Sequence, residues 1–160
     1  MTERFQPIGQ NTYLDTETGG IVATRAGQDP LEVVLEAALP SPLGSYDVEV
    51  ERDRRIASFT FSGKTYQLSG DSLINVQGAG TLALAAIMNG SQQGDFRWAD
   101  PDEDFSWIAS DNSATLMDAQ TTWAFAQAAA SWRKQMIYKA RALKDMDPIP
   151  TDYANDSYWL

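Results

Sequence analysis

The stretch from Asp118 to Asp145 contains no glycine and no proline, and it places bulky side chains at helical intervals. It is rich in alanine, glutamine, lysine and arginine, which all favour the helix. We therefore predict one helix of about seven turns. Asp118 is expected to cap its N-terminus, because a carboxylate accepts hydrogen bonds from the free amides of the first turn. Pro148 is expected to stop it at the other end.

Two apolar stripes run along this predicted helix. One follows steps of three and four residues from Phe125 to Leu143. The second lies on nearly the opposite side and comprises Ala119, Trp123, Ala126, Ala130 and Ile137. A helix that is apolar on two sides needs two surfaces to pack against, and we expect another protein to supply one of them. Trp123 and Ile137 are therefore candidate interface residues.

The absence of cysteine and histidine excludes several classes of site within this chain. There can be no disulfide, no thiolate or imidazole metal ligand, no cysteine nucleophile and no histidine general base. The formal net charge of −10 argues against nucleic acid as a partner, because binding to phosphates needs basic surface. The basic run from Arg133 to Lys144 fits a helix C-terminus, where cations are favoured. We predict no cofactor.

Neither a secretory signal nor a membrane span is indicated. The N-terminal residues MTERFQPIGQ lack the basic start and the apolar run of a signal peptide. The run from Ser72 to Gly94 is uncharged, but it contains several polar residues and its apolar part is short for a span. We therefore predict a buried helix in this run and no membrane partner.

Residues 1–44 form an acid-rich segment with glycine and proline as punctuation. Short strands are predicted over 12–14 and 21–24, joined by a turn at 17–20. A short helix, LEVVLEAAL, is predicted to follow, and Pro40, Pro42 and Gly44 are expected to stop it. So small an arm cannot bury its aliphatic face alone. It either folds back on the later domain or docks on a partner. Its candidate interface residues are Leu31, Val34 and Leu35.

The next segment predicts a helix followed by a hairpin. Residues 46–57 are compatible with a helix or a strand, and the favourably oriented pair of Glu51 and Arg55 favours the helix. Residues 58–62 and 65–68 alternate large apolar and polar side chains on either side of a Ser-Gly-Lys turn. This alternation is typical of a β-hairpin.

A second main helix is predicted from Ser72 to about Met88, with Asp71 as its cap. It is apolar on all sides, so we expect it at the centre of the fold. Gly78 and Gly80 each cost about 1 kcal/mol relative to alanine in a helix. That cost is explained if another backbone approaches closely, and we predict that this partner is the alanine-rich first half of the long helix.

Three short strands are predicted between the two main helices, over 96–98, 105–109 and 114–117. After the long helix, the sequence DPIPTDYANDSYWL predicts an extended tail. Its apolar side chains are too large to leave in water, so we expect the domain or a neighbour to cover them. The candidate interface residues of the tail are Tyr158, Trp159 and Leu160.

These elements predict an α+β protein, with a small antiparallel sheet and two main helices at about 72–88 and 118–145. An N-terminal hairpin and short helix form an additional arm. We predict three segments along the chain: a docking arm over 1–44, an α+β domain over 45–147 and an extended apolar tail over 148–160.

Three ordered motifs carry a resemblance to a known family. They are the F-x-F-x-G-x-x-Y hairpin with the D-S helix start that follows it, the W-x-x-x-D-N turn, and the R-A-L-K end of the long helix. Over about residues 50–147, the chain resembles a domain of unknown function found in phage and prophage tail proteins. The resemblance implies a role in the virion or in its assembly, after synthesis in the bacterial host's cytoplasm. It implies no enzymatic activity and supplies no functional residues.

One acidic segment superficially resembles a calcium-binding loop. Asp100, Asp102 and Asp104 alternate, and Asp111 is twelfth from the first of them. Phe105 occupies the sixth place, where the sharp turn of such a loop needs glycine, and the twelfth place lacks a bidentate glutamate. We therefore predict a solvated acidic turn with no metal.

Asp102 and Glu103 are also candidates for a carboxylate pair that hydrolyses a glycan. Any chain with 22 acidic residues offers such pairs, so we predict no catalytic residue and no enzymatic activity. Several aromatic side chains can stack on the sugars of a host-surface glycan, but the same residue types suit a core or a subunit interface. These aromatic residues are Trp98, Phe105, Trp107, Tyr153, Tyr158 and Trp159.

Together these features predict a non-enzymatic structural component of a phage tail, in the tip, baseplate or fibre region. We expect it to dock on other tail proteins, in several copies within a symmetric assembly. Two alternatives stay open. One is a tail-fibre assembly factor that is absent from the mature particle, and the other is a module that binds a receptor glycan.

Overall fold

A computed structural model describes residues 4–38 and 43–160, with the side chains of 36–38 left out. The chain divides into two compact units, Met1–Pro42 and Leu43–Leu160. The described part of the first unit contains three strands, β1 (Phe5–Gly9), β2 (Thr12–Asp15) and β3 (Ile21–Ala23), and the helix α1 (Pro30–Ala38). The prolines expected to stop α1 lie outside the described residues.

The first unit is a three-stranded antiparallel sheet in the order β1-β2-β3. The β2–β3 hairpin was predicted, whereas β1 was not. Asp15, at the end of β2, is buried and accepts two hydrogen bonds from Arg4, at 3.2 and 3.1 Å. The Arg4 guanidinium holds the pKa of Asp15 at about 2, because it stabilises the ionised carboxylate.

The second unit has an α+β fold, as the sequence predicts. It contains the helices α2 (Ser45–Ile56), α3 (Asp71–Met88) and α4 (Ala119–Lys144). Its strands form two separate antiparallel hairpins, β4 (Ser58–Phe61) with β5 (Lys64–Gln67), and β6 (Ser106–Ile108) with β7 (Ala114–Leu116). A short 3-10 turn, Asp156–Tyr158, lies near the end of the chain.

Helix α4 is the element on which the second unit is built. Its N-terminal half contributes Phe125 and Ala129 to a cluster with residues of the two hairpins and of α3. Its C-terminal half contributes Met136, Ala140 and Leu143 to another cluster, which includes Trp159 and two residues of α2. Trp132 is partly buried against both clusters. The stripe predicted from Phe125 to Leu143 is therefore the buried face of α4.

Helices α3 and α4 pack closely at one point. A Cβ atom added to Gly80 of α3 would overlap the Cβ of Ala126 in α4. This contact confirms the predicted close approach to the alanine-rich half of α4. Helix α3 is not central, however, because only one of its faces, with Val76, Gly80 and Ala83, is buried. The opposite side also carries large apolar residues, Ile74, Leu82 and Met88, so the hydrophobic pattern could not distinguish the inner side from the outer side.

Two predictions in the second unit were wrong. Residues 96–98 form turns, and the segment is held by the hydrogen bond from the Trp98 indole to the Met117 carbonyl, at 3.0 Å. The segment makes one backbone hydrogen bond to the residues before β6, from the Phe105 amide to the Phe96 carbonyl at 2.7 Å, which is too few for a strand ladder. The tail is not extended: it forms turns that bring Trp159 into the cluster around Met136 and Leu143.

Candidate docking surface

The outer face of α3 is apolar and exposed to solvent. Ile74 and Leu82 each keep 65 % of their surface exposed, and Met88 keeps 79 %. No charged residue occurs between Ser72 and Gly94, so this helix lacks the charged side chains that usually cover an exposed helix face. We call this surface the α3 outer face. It comprises Ile74, Gly78, Thr81, Leu82, Ala85 and Met88.

Gly78 lies within the α3 outer face, and nothing in this chain explains its lack of a side chain. A Cβ atom added there has no neighbour within 4 Å, and the backbone has no positive φ. Gly80, one half-turn away, is explained by its contact with Ala126. Glycine in an exposed helix interior costs about 1 kcal/mol relative to alanine. A close approach by a partner molecule would account for that cost at Gly78.

A groove runs between α3 and α4 beside their close contact. Its cavity measures about 260 Å³, and its wall is mainly apolar. Ile137, which was a candidate interface residue, lies at this groove with 45 % of its surface exposed. We call it the α3–α4 groove. Its apolar lining residues include Leu73, Val76, Ala126, Ala130, Ile137 and Tyr138.

Two basic side chains, Arg133 and Lys134, also line the α3–α4 groove, and no acidic residue of the described chain does. The Lys134 ammonium lies 5.8 Å from the centre of the Tyr138 ring. Within residues 43–160, neither of these two residues forms an ion pair with a carboxylate. The field of Asp53 acts on Arg133, but the carboxylate of Asp53 is paired with Arg52 at 2.8 Å.

The other basic side chains of the second unit each donate to an oxygen of this chain. Most form ion pairs, among them Arg97 with Asp104 at 3.1 Å and Lys144 with Glu49 at 2.7 Å. The remaining ones donate to hydroxyl or carbonyl oxygens. Arg133 and Lys134 are thus the basic residues of this unit without an oxygen partner, and they lie together at an apolar groove.

The remaining candidate interface residues have different positions. In α1, Leu31 and Leu35 are exposed and Val34 is half-buried. Trp123 of α4 is half-buried. These placements leave their predicted role as contacts to a partner untested.

The three candidate residues of the tail differ in how far they are exposed to solvent. Trp159 is 1 % exposed, and its indole donates to the Tyr153 carbonyl at 2.7 Å. Of the two alternatives for Trp159, cover by its own domain or by a neighbour, the structure therefore shows the first, because the chain's own α2 and α4 cover it. Trp159 keeps almost no surface that could serve as an interface. Tyr158 is half-buried, and its hydroxyl donates a hydrogen bond to the Asp152 carboxylate at 3.1 Å, which raises the pKa of Tyr158. Leu160 is 74 % exposed.

The candidate residues for chemistry do not converge on one site. Asp102 and Glu103 are exposed on a turn, where Asp100 accepts a hydrogen bond from the Asp102 amide at 2.8 Å. Asp104 pairs with Arg97. Among residues 4–38 and 43–160, no group of three or more acidic side chains is placed to hold a metal ion.

Three of the candidate aromatic residues, Trp98, Phe105 and Trp107, pack in a row that ends on Phe125. The ring centres of Trp98 and Phe105 are 4.7 Å apart, and those of Trp107 and Phe125 are 5.3 Å apart. Such packing buries at least part of each ring against another ring, so that part of its surface is not available to stack on a sugar. In the described part of the chain, no helix has the length and apolar character needed to cross a membrane.

Sequence reasoning missed the α3 outer face and the two basic residues at the groove. One signal was present in the sequence. Gly78 and Gly80 lie on different sides of α3, so only one of them can face α4, and the other glycine indicates a second surface. Arg133 and Lys134 were assigned to the helix C-terminus, although they lie three turns before its end.

Comparison with known proteins identifies a family for the second unit. A family profile described as "Domain of unknown function (DUF4376)" matches residues 45–157. No curated protein and no solved structure matches the chain.

Proposed function

The chain belongs to the DUF4376 family, whose function is unknown, and from its exposed apolar surface and the resemblance of its motifs we propose that it is a non-enzymatic structural component of a bacteriophage tail. In this proposal it lies in the tip, baseplate or fibre region and docks on other tail proteins. The resemblance of its three motifs to phage and prophage tail proteins supports the assignment to a tail.

The α3 outer face is the observation that carries the docking role. Large exposed apolar areas on a well-packed domain mark interaction sites, because burying them against a partner releases their hydrating water. On this face Leu82 and Met88 are exposed on a helix that has no charge after its first residue. A tail component that stays in the particle would keep this face permanently covered.

The composition of purified particles tests the proposal. We expect mass spectrometry of gradient-purified virions to detect this chain in a fixed ratio to the other tail proteins. Its presence in infected cells but absence from particles would contradict the structural role and would support the alternative of an assembly factor.

A matched pair of variants tests the surface. The double variant Leu82→Glu and Met88→Glu places two charges on the α3 outer face, and we expect it to fold but to be lost from particles. Val50→Glu introduces a charge at an exposed apolar position of α2 and is the control. Unchanged incorporation of the double variant would contradict docking through α3.

A further inference from the structure

The α3–α4 groove has the dimensions of a site for side chains. Its cavity of about 260 Å³ is smaller than the roughly 300–1,000 Å³ typical of sites for small organic ligands. Along α4 its lining extends from Ala126 to Tyr138, which is about 18 Å at 1.5 Å per residue. An open apolar channel of that length between two helices matches the way in which a short amphipathic helix binds, with a few anchoring side chains.

The groove has room above α4 because α4 contributes small side chains there. Ala126 and Ala130 lie one turn apart, and Leu73 and Ile137 form apolar walls. Large aliphatic side chains of a partner helix would fill the space above the alanines, as knobs fit into holes between packed helices.

The charges at the groove specify the partner further. Arg133 and Lys134 form no ion pair within residues 43–160, although the chain as a whole has 22 acidic and 12 basic residues. Asp53, a carboxylate whose charge acts on Arg133, is itself paired with Arg52. Carboxylates on a bound helix would pair with both, and Arg133 can donate two parallel hydrogen bonds to one carboxylate. A basic helix would instead place like charges against them.

We propose that the α3–α4 groove binds an amphipathic α-helix of another protein, whose apolar stripe is flanked by glutamate or aspartate. The inference rests on the proposed docking function and names the chemistry of one partner. The apolar stripe enters above Ala126 and Ala130, and the acidic residues pair with Arg133 and Lys134.

Three synthetic peptides test the proposal with the full-length chain. Each has about 15 residues, is capped at both ends and presents the same leucine stripe. The positions flanking the stripe are glutamate, glutamine or lysine. We expect calorimetry to show the tightest binding for the glutamate peptide, and binding about tenfold weaker for the lysine peptide, since each exposed ion pair contributes up to about fivefold.

Protein variants separate the charge from the apolar contact. Replacing Arg133 and Lys134 together by alanine should remove the preference for glutamate over lysine. Ala130→Leu should fill the groove and weaken all three peptides by about tenfold or more. Arg97→Ala, an exposed basic residue away from the groove, is the control.

Two results would overturn the inference. One is no measurable binding of the glutamate peptide at about 1 mM. The other is equal or tighter binding of the lysine peptide. The composition of purified particles is measured independently of peptide binding. A failure of the groove assignment is therefore distinguishable from a failure of the proposed structural role.

Discussion

Asp118 connects the loop that follows α3 to the start of α4. Its side chain accepts a hydrogen bond from the Thr121 amide and another from the Gly94 amide, each at 2.7 Å. Burial alone raises the pKa of Asp118, but these hydrogen bonds together outweigh it and keep the pKa below its ordinary value. The predicted cap is thus confirmed, and its second bond, to Gly94, was not foreseen.

Asp118→Asn should lower the free energy of unfolding by about 1–2 kcal/mol at neutral pH, because the amide can accept only one of the two hydrogen bonds well. Since the folded-state pKa of Asp118 lies below the unfolded value of about 3.9, its contribution is present above that value. It is lost as the pH falls through the folded-state pKa. Urea unfolding followed by tryptophan fluorescence at a series of pH values measures this difference.

The exposed Asp102→Asn is the control for the Asp118 variant, and it should change stability by less than about 0.5 kcal/mol at any pH. A difference between the wild type and Asp118→Asn that stays constant down to the acid transition would show that the carboxylate charge is not responsible.

At the scale of elements, the pairing of α3 with α4 depends on a single missing side chain. Gly80 lets the two backbones approach at Ala126, whereas Gly78 points away from the fold. The two positions share a helix and a residue type, so they form a matched pair for separating packing from helix propensity.

Gly80→Ala should destabilise the protein by about 1–3 kcal/mol, because the added methyl group must displace Ala126. Gly78→Ala should be neutral or stabilise by up to about 1 kcal/mol, since the methyl group meets open space and alanine favours the helix. Thermal or urea unfolding measures both. Equal destabilisation by the two variants would contradict the assigned helix contact.

Local patterns were sufficient to predict α2, α3, α4 and the β4–β5 hairpin, because periodicity and turn residues act within one segment. The sequence could not indicate which side of α3 faces outward, since Ile74 and Val76 are equally apolar. It also could not distinguish Trp159 covered by its own chain from Trp159 covered by a neighbour. Both outcomes depend on packing between distant segments. For the same reason, Arg133 and Lys134 could not be placed at a groove.

At the scale of the second unit as a whole, two hydrophobic clusters share one helix. Leu68 and Leu143 are fully buried, one in each cluster, and Trp132 contacts both. If only one cluster unfolded, half of the apolar face of α4 would be exposed to water, which costs free energy. We therefore expect the two clusters to unfold together.

Leu68→Ala and Leu143→Ala should each destabilise the whole unit by about 2–5 kcal/mol. In each variant, the fluorine NMR signals of fluorotryptophan at Trp107 and Trp159 should lose native intensity at the same urea concentration. These residues report on the first and second cluster, respectively. Leu160→Ala, at an exposed position, is the control. Separate midpoints for the two signals would show that the clusters are independent.

The continuity of α4 has a mechanical consequence. Over its 26 residues, about 39 Å, it contains neither glycine nor proline and therefore has no site at which it would readily bend. A force applied at Ile137, beside the groove, would move α4 as one stiff body. Phe125 near one end and Leu143 near the other would move with it. When an assembly pushes on this unit from the side, α4 would pass the load to both hydrophobic clusters rather than bend at a kink.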